Sequence, residues 1–485
     1  MTETAGAVGG IGGKRRYEAQ AQAQAQSQAQ ADAESDADPD AQVQGVERAE
    51  AAEQDCPACG ERIPADRRFV VWCVACGWNV DPGRGANKPA GTRVERLRRR
   101  LAHRFGEQLF ADLGREPVST SAPTTTAAAP GGAAGVLAAG LALLVHGITV
   151  ALAALALWLL IGGWGRGFQP ALGALFLALA FALRPRFGSL AKIRGDAPVL
   201  ERLDAPRLFA LLDEVAGAVG TRGVDVVLLD AEANASVLTY GIRQRRALTL
   251  GLSLWAVLDR QERVALLGHE FGHYAHGDTR HGVLVGSALR SLDTWQYMLA
   301  PNHGETIMDQ LGNLLTAVPR LAVHGMTLLL DQATLRASQR AEYLADTSAA
   351  RVAGATAAAG LMDRLLVTDS AESVLQRETV AARTRIGRTA RSEDPAEGLW
   401  ERVAAQVAAV PEREYERLRR VAELRGHCVD ATHPPTHLRR RHVTRGERHP
   451  AGVVLDAARS ADVDAELEEA GRTVARRVLR DGHMA

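Results

Sequence analysis

The sequence predicts a mainly α-helical chain with a small β-sheet, an α+β fold. An apolar helical hairpin and a compact cysteine module stand ahead of it. Three observations carry this. The run from Ala133 to Ile161 holds no charged residue, four of the five cysteines fall in two pairs between Cys56 and Cys76, and short strand-like segments around residues 224–251 give way to helical periodicity from Asp259 onward.

At 485 residues the chain is long enough for two or three folded units. Lysine plus arginine equals aspartate plus glutamate at 57 each, and aromatic residues make up 5%. Neither a basic surface nor an aromatic stacking platform is indicated, so no nucleic-acid partner is expected. The opening MTETAGAVGG has neither a basic start nor an apolar core, so no secretory signal peptide is expected.

Residues 1–54 are rich in alternating alanine and glutamine with almost no bulky apolar side chain, and are expected to be a disordered tail. Residues 55–82 hold Cys56-Pro-Ala-Cys59-Gly60 and Cys73-Val-Ala-Cys76-Gly77. Two such knuckles match a closed tetrahedral site of four thiolates, a structural zinc ribbon. Each following glycine allows the tight turn that brings backbone amides near sulfur, and Phe69, Trp72 and Trp78 would form a small core. Two disulfides are the competing reading. Cys428 stands alone and is expected to carry no chemistry. Residues 83–132 read as a basic segment and a linker.

Residues 133–183 read as a transmembrane helical hairpin. The first arm exceeds the roughly 20 apolar residues that cross a bilayer. The second, Phe168 to Leu183, is shorter and carries Pro170. Arg96, Arg98, Arg99, Arg100 and Arg104 precede the hairpin, and Arg184, Arg186, Lys192 and Arg194 follow it, while the connecting loop has only Arg166. Positive flanks stay on the cytoplasmic side. The expectation is a multi-pass protein of the cell (inner or plasma) membrane with its cysteine module and globular part in the cytoplasm. A later apolar stretch, Leu314 to Leu330, contains Pro319, Arg320 and His324 and is expected to be a buried helix.

Residues 184–445 form the expected globular unit, with 446–485 a C-terminal helical segment. Val224 to Leu229 and Ala247 to Gly251 read as strands. Asp259 and Glu262 have the spacing of a capping box that opens a helix. On that helix His269 and His273 lie one turn apart on one face, so both imidazoles can reach one zinc ion. Glu270 is placed beside them as general base toward a metal-activated water. A catalytic zinc needs a third protein ligand. The pattern with a third histidine would need glycine at 276 and histidine at 279, where the chain has His276 and Thr279. Glu342, in a helical context, is the favoured alternative, and Asp346 one turn later is placed to orient a ligating histidine.

His269 to Asp278 (HEFGHYAHGD), Glu342 to Asp346 (EYLAD), Thr432-His-Pro-Pro435 and Asn234-Ala235 together resemble one family over roughly Leu200 to Arg441. It comprises the membrane-integrated gluzincin metalloendopeptidases that include the bacterial heat-shock peptidase HtpX and the CAAX prenyl-protein endopeptidase. The resemblance implies a gluzincin-type metallopeptidase domain. In it His269, His273 and Glu342 bind zinc, Glu270 is the base and Asp346 stands behind the ligands. One departure is visible: Gln339 stands where the family usually has arginine, with Arg340 next.

His433 is a candidate oxyanion stabiliser, with Tyr240 or Tyr343 as substitutes. The strand Ala247 to Gly251 is a candidate for pairing with an extended substrate, and His276 and His281 are expected to be solvated or to back the site. The expected function is a membrane-bound zinc endopeptidase with one catalytic and one structural zinc, acting on membrane or membrane-proximal proteins. The alternative is a non-catalytic membrane adaptor that binds a protein through its zinc ribbon.

Overall fold

The computed structural model describes residues 53–66, 68–85, 93–113, 133–162, 167–185, 189–241, 243–276, 278–301, 304, 306–385, 394–425, 433–445 and 450–482. Nearly all of the expected disordered tail, the linker 117–132, the loop with Arg166, Cys428 and Thr432 lie outside the described residues. The chain divides into two compact units, one ending at Pro82 and the other beginning at Gly83.

The first unit pairs β1 (Glu53–Asp55) antiparallel with β2 (Arg62–Pro64). Its two cysteine knuckles have the same backbone design. The Gly60 amide donates to the Cys56 carbonyl at 2.9 Å and the Gly77 amide to the Cys73 carbonyl at 3.0 Å. Both glycines sit at positive φ, 77° and 73°, as the tight turn requires. Ile63 is buried with Cys56 and Cys73, Trp78 packs against that cluster, and Trp72 is buried as well. Phe69 is only partly covered, with Arg68 over its ring.

The second unit opens with α1 (Arg93–Leu113), a 21-residue helix in the segment read as basic stretch and linker. Next come α2 (Ala133–Gly162), α3 (Gln169–Leu183), α4 (Leu190–Arg194), β3 (Val199–Leu200) and α5 (Pro206–Val219). The strands β4 (Val226–Asp230), β5 (Ala235–Tyr240) and β6 (Arg245–Gly251) follow. Helices then run α6 (Leu252–Val257), α7 (Arg260–Ala275), α8 (Asp278–Met298), α9 (Ile307–Ala353), α10 (Ala355–Leu365), α11 (Thr368–Arg385), α12 (Leu399–Ala408), α13 (Glu412–Arg425), α14 (Thr436–Arg445) and α15 (Ala457–Asp481).

Among the described residues, two helices, α2 and α9, are long and apolar enough to cross a membrane. Helix α3 lies against α2 where Gly173 meets the Leu160 backbone; a Cβ there would stand 3.0 Å from the Leu160 nitrogen. Helices α8 and α9 join them through a shared cluster of Ala142, Val145, Leu292, Trp295, Val323 and Leu330. Two polar groups inside this bundle are paired: His146 Nε2 is 3.0 Å from the Ser287 hydroxyl, and the Trp295 indole donates to the Leu183 carbonyl at 3.2 Å. The outer faces are apolar. Trp158 is 67% exposed, Leu314 72% and Val318 76%. The stretch expected to be a buried helix is therefore largely uncovered: among the described residues, nothing packs over the outer face of the first half of α9.

The four-stranded sheet has the order β3-β4-β6-β5. Strand β4 runs parallel to β6, and β5 pairs antiparallel with β6 from Ala235–Leu250 to Tyr240–Arg245. The sequence reading missed β5, whose Ser236 and Thr239 interrupt the apolar pattern. With β5 in place, β6 is interior, so Ala247 to Gly251 has no free edge to offer a substrate.

Helix α7 starts with the expected capping box: Asp259 accepts from the Glu262 amide at 2.7 Å, and Glu262 accepts from the Asp259 amide at 2.9 Å. The helix is held on both sides. Arg364 reaches Glu262 at 3.1 Å, and Arg263 forks onto Asp464 of α15 at 2.8 and 2.9 Å. Its packing on α9 depends on two glycines. A Cβ at Gly272 would lie 2.7 Å from the Ala345 Cα, and one at Gly268 would lie 3.2 Å from the Ala349 Cα. Small residues one turn apart on both helices thus let the two backbones approach closely.

Candidate metal centre

That close approach sets the site. His269 and His273 on α7 face Glu342 and Asp346 on α9. The two Nε2 atoms of His269 and His273 are 3.3 Å apart. Glu342 Oε2 lies 3.5 Å from His269 Nε2, and Glu342 Oε1 lies 3.6 Å from His273 Nε2. Zinc with bonds of about 2.0–2.1 Å in tetrahedral geometry separates its ligand atoms by about 3.3 Å. The donor set therefore fits such an ion. Glu342 Oε2 is also buried and makes no close hydrogen bond; the Arg439 guanidinium and His269 Nε2 each stand 3.5 Å from it.

Behind the donors stands a charged pair. Asp346, with no exposed surface, accepts from His269 Nδ1 at 3.0 Å. That bond directs the Nε2 lone pair toward His273 and Glu342. Asp346 also takes a two-pronged bond from Arg439 of α14, Nη2 to Oδ1 at 2.7 Å and Nε to Oδ2 at 2.8 Å. Burial opposes ionisation of Asp346, but the Arg439 charge and its hydrogen bonds outweigh burial and hold the carboxyl far below its usual range. Burial likewise works against the His269 imidazolium, yet the bonds to Asp346 and Glu342 prevail and push its pKa up to about 10. Glu342, buried but facing His269 and Arg439, is drawn down to about 2. Burial raises the pKa of Glu270.

His433 Nε2 lies 3.3 Å from Glu342 Oε1. A cleft of about 420 Å³ opens onto these groups. Its walls are the start of β5 (Asn234 to Val237), the apolar Leu361, Met362 and Leu365 of α10, and Glu270 with His433. Neither substitute tyrosine lines it. Tyr343 is buried against Phe110 and Leu438, and Tyr240 sits in the core cluster of the sheet. His276 bonds the Ser348 hydroxyl at 3.0 Å, and the His281 side chain lies outside the described residues. Arg439 escaped the sequence reading because it lies in the run Arg439-Arg440-Arg441, where nothing local marks one arginine as buried.

The four cysteines form the other donor cluster among the described residues, with Sγ atoms within 4.8 Å of one another. Cys56 and Cys76 are 3.7 Å apart and Cys59 and Cys73 are 3.6 Å apart. These separations are far beyond a disulfide bond of about 2.05 Å and close to the roughly 3.8 Å edge of a tetrahedral zinc–thiolate site with bonds of about 2.3 Å.

No solved structure matches the chain. Among curated sequences it is similar to the protease HtpX homologue of Pyrobaculum aerophilum, 33% identical over 157 residues, and to that of Pyrobaculum calidifontis, 32% identical over 153 residues. Each alignment covers 31% of this chain and 43% of the relative, less than half the relative's length. The profile of peptidase family M48 matches residues 203–446, about half of the chain and the whole stretch from α5 through α14. With the two histidines, the glutamate and the histidine-bearing turn all inside that match, the chain belongs to peptidase family M48.

Proposed function

We propose that the chain is a membrane-bound zinc-dependent endopeptidase. One observation carries this: donor atoms of three residues, 3.3–3.6 Å apart, stand beside a buried glutamate in a cleft walled by the start of β5, an edge strand among the described residues. His269, His273 and Glu342 would hold the ion. A zinc ion there supplies the Lewis acid that brings water's pKa toward neutrality and polarises a peptide carbonyl. Glu270 takes the proton from the attacking water and returns it to the leaving amine; its burial, which raises its pKa, suits it to both tasks. His433 lies on the cleft wall, where a ring N–H would steady the developing oxyanion.

The substrate is a protein or peptide segment lying extended along β5. The Gly251 amide bonds the Asn234 carbonyl, so in the antiparallel alternation Val237 and Thr239 turn their amides to the open edge, while the Ala235 amide donates to Asn234 Oδ1 at 2.9 Å. Added-strand pairing there would place the scissile bond over Glu270. Leu361, Met362 and Leu365 favour an apolar substrate side chain beside that bond.

Membrane attachment is supported by the bundle of α2, α3, α8 and α9 with its uncovered apolar faces. The apolar span in α9 runs to Leu335. Glu342 follows on the same helix about 10 Å further along, which suits membrane-proximal substrates. In this reading the cysteine module and the catalytic part face the cytoplasm of a multi-pass cell-membrane protein, and the cysteine module holds a second, structural zinc. The deciding experiment measures cleavage of an unfolded protein by the purified chain and its Glu270→Gln variant, with zinc content in parallel. Expected is a loss of about 10²–10⁴-fold with zinc retained. Undiminished cleavage by the variant would remove the mechanism.

A further inference from the structure

Helix α1 lies outside the family-matched region and ahead of the first apolar span, yet it touches the back of the metal centre. Tyr343 is the residue next to Glu342 on α9. Its side chain is only 1% exposed and is enclosed from two directions, its ring 6.3 Å from Phe110 of α1 and 5.1 Å from His442 of α14. Its hydroxyl donates toward the Gly106 carbonyl of α1 at 3.5 Å. Phe110 and Leu438 of α14 are buried in the same cluster, and the Arg445 guanidinium covers the Phe110 ring at 4.1 Å. Four residues before Phe110, Gly106 meets the turn that carries His433. A Cβ there would stand 3.0 Å from Pro435 Cδ and 3.9 Å from Gln339 Nε2. One face of α1 thus seats both the helix segment that presents Glu342 and the turn that joins His433 to Arg439.

We propose that α1 is a positioning element of the metal centre, with Phe110 and Gly106 as positioning residues. Phe110 blocks rotation of α9 at Tyr343 and so fixes where the Glu342 carboxylate points. Gly106 lets α1 lie flat on Pro434-Pro435 and fixes the distance of His433 and Arg439 from Glu342. Neither residue touches the reacting atoms; both act through Tyr343 and Pro435. Gln339, buried beside Gly106, occupies the contact on the α9 side.

The inference rests on the zinc-peptidase reading only for its activity arm. The test uses the full chain in detergent, comparing Phe110→Ala, Phe110→Leu and Gly106→Ala with the exposed control Gln108→Ala. Zinc release to a chelator is followed, the cysteine-held share being subtracted with a His269→Ala reference. Amide exchange at residues 338–346, kcat and KM are measured alongside. Phe110→Ala should release the centre's zinc about tenfold faster or more, quicken exchange at 338–346, and lower kcat with KM within about twofold. Phe110→Leu should restore all three. Gly106→Ala, a change that ordinarily favours a helix, should shift them in the same direction by less. Should Phe110→Ala fail to fold, Gly106→Ala and Phe110→Leu carry the comparison.

Zinc release, exchange and kcat all unchanged in folded Phe110→Ala and Gly106→Ala would overturn the proposal. So would losses in both variants that track global melting, with kcat and KM moving together. If the unaltered chain cleaves nothing, the peptidase reading fails alone, and zinc release and exchange still decide the role of α1.

Discussion

At the scale of single residues, the centre is a contest for His269. Its Nδ1 is committed to Asp346, and that carboxylate with Glu342 holds the imidazole pKa near 10. Below that pH the imidazole carries a proton that a zinc ion bound in the proposed way would have to displace, so binding would release one proton from His269 and be favoured as pH rises. The apparent zinc affinity should climb about tenfold per unit from this residue alone and level off as pH nears 10. Chelator competition across neutral pH measures the slope. Asp346→Asn removes the charge that lifts the pKa, so the slope should flatten; an unchanged slope would contradict the assignment. Arg439 has a different task, since it neutralises Asp346, which has no exposed surface. Arg439→Met leaves that buried charge with the His269 bond alone, which should cost about 3–5 kcal/mol in a denaturation experiment.

At the scale of elements, two contacts decide whether the donors meet. The first is α7 on α9, where Gly268 and Gly272 face Ala345 and Ala349. The atom that a Cβ at Gly272 would strike is backbone, which has no rotamer to give way. Gly272→Ala should therefore destabilise the protein by about 1–3 kcal/mol and weaken zinc retention as well, because spreading the helices parts His273 from Glu342. A melting curve and a metal analysis of the same sample check both. The second contact is between β5 and its substrate. Val237→Pro deletes an amide that points to the open edge, a position where an edge strand tolerates proline. It should raise KM several-fold while the fold persists; an unaltered KM would place the substrate elsewhere.

At the scale of the whole molecule, the apolar faces of α2, α3 and the first half of α9 make a soluble state unfavourable. The chain should remain in the membrane fraction through an alkaline carbonate wash and leave it only with detergent. Metal analysis should find two zinc ions per chain. Replacing Cys56, Cys59, Cys73 and Cys76 with serine should remove one, and His269→Ala with His273→Ala should remove the other. A single ion lost in both variants would refute separate centres.

By itself the sequence determined whatever depends on near neighbours along the chain. Two histidines at i and i+4 share a helix face whatever surrounds them, Asp259 and Glu262 close a capping box through local bonds, and paired cysteines followed by glycine form the same turn twice. An uncharged apolar run is equally self-evident. These features, with the motif order, were enough to place the chain in its family. The tertiary structure decided what joins distant segments. It brought Glu342 to 3.5 Å from His269 and chose Arg439 over its neighbours. It also made β5 the edge in place of β6 and seated α1 behind Tyr343. The physical reason is common to all four. Backbone approach at Gly272, strand order and burial of a guanidinium are set by packing between elements far apart in sequence, and no local pattern of residue types encodes which surfaces will meet.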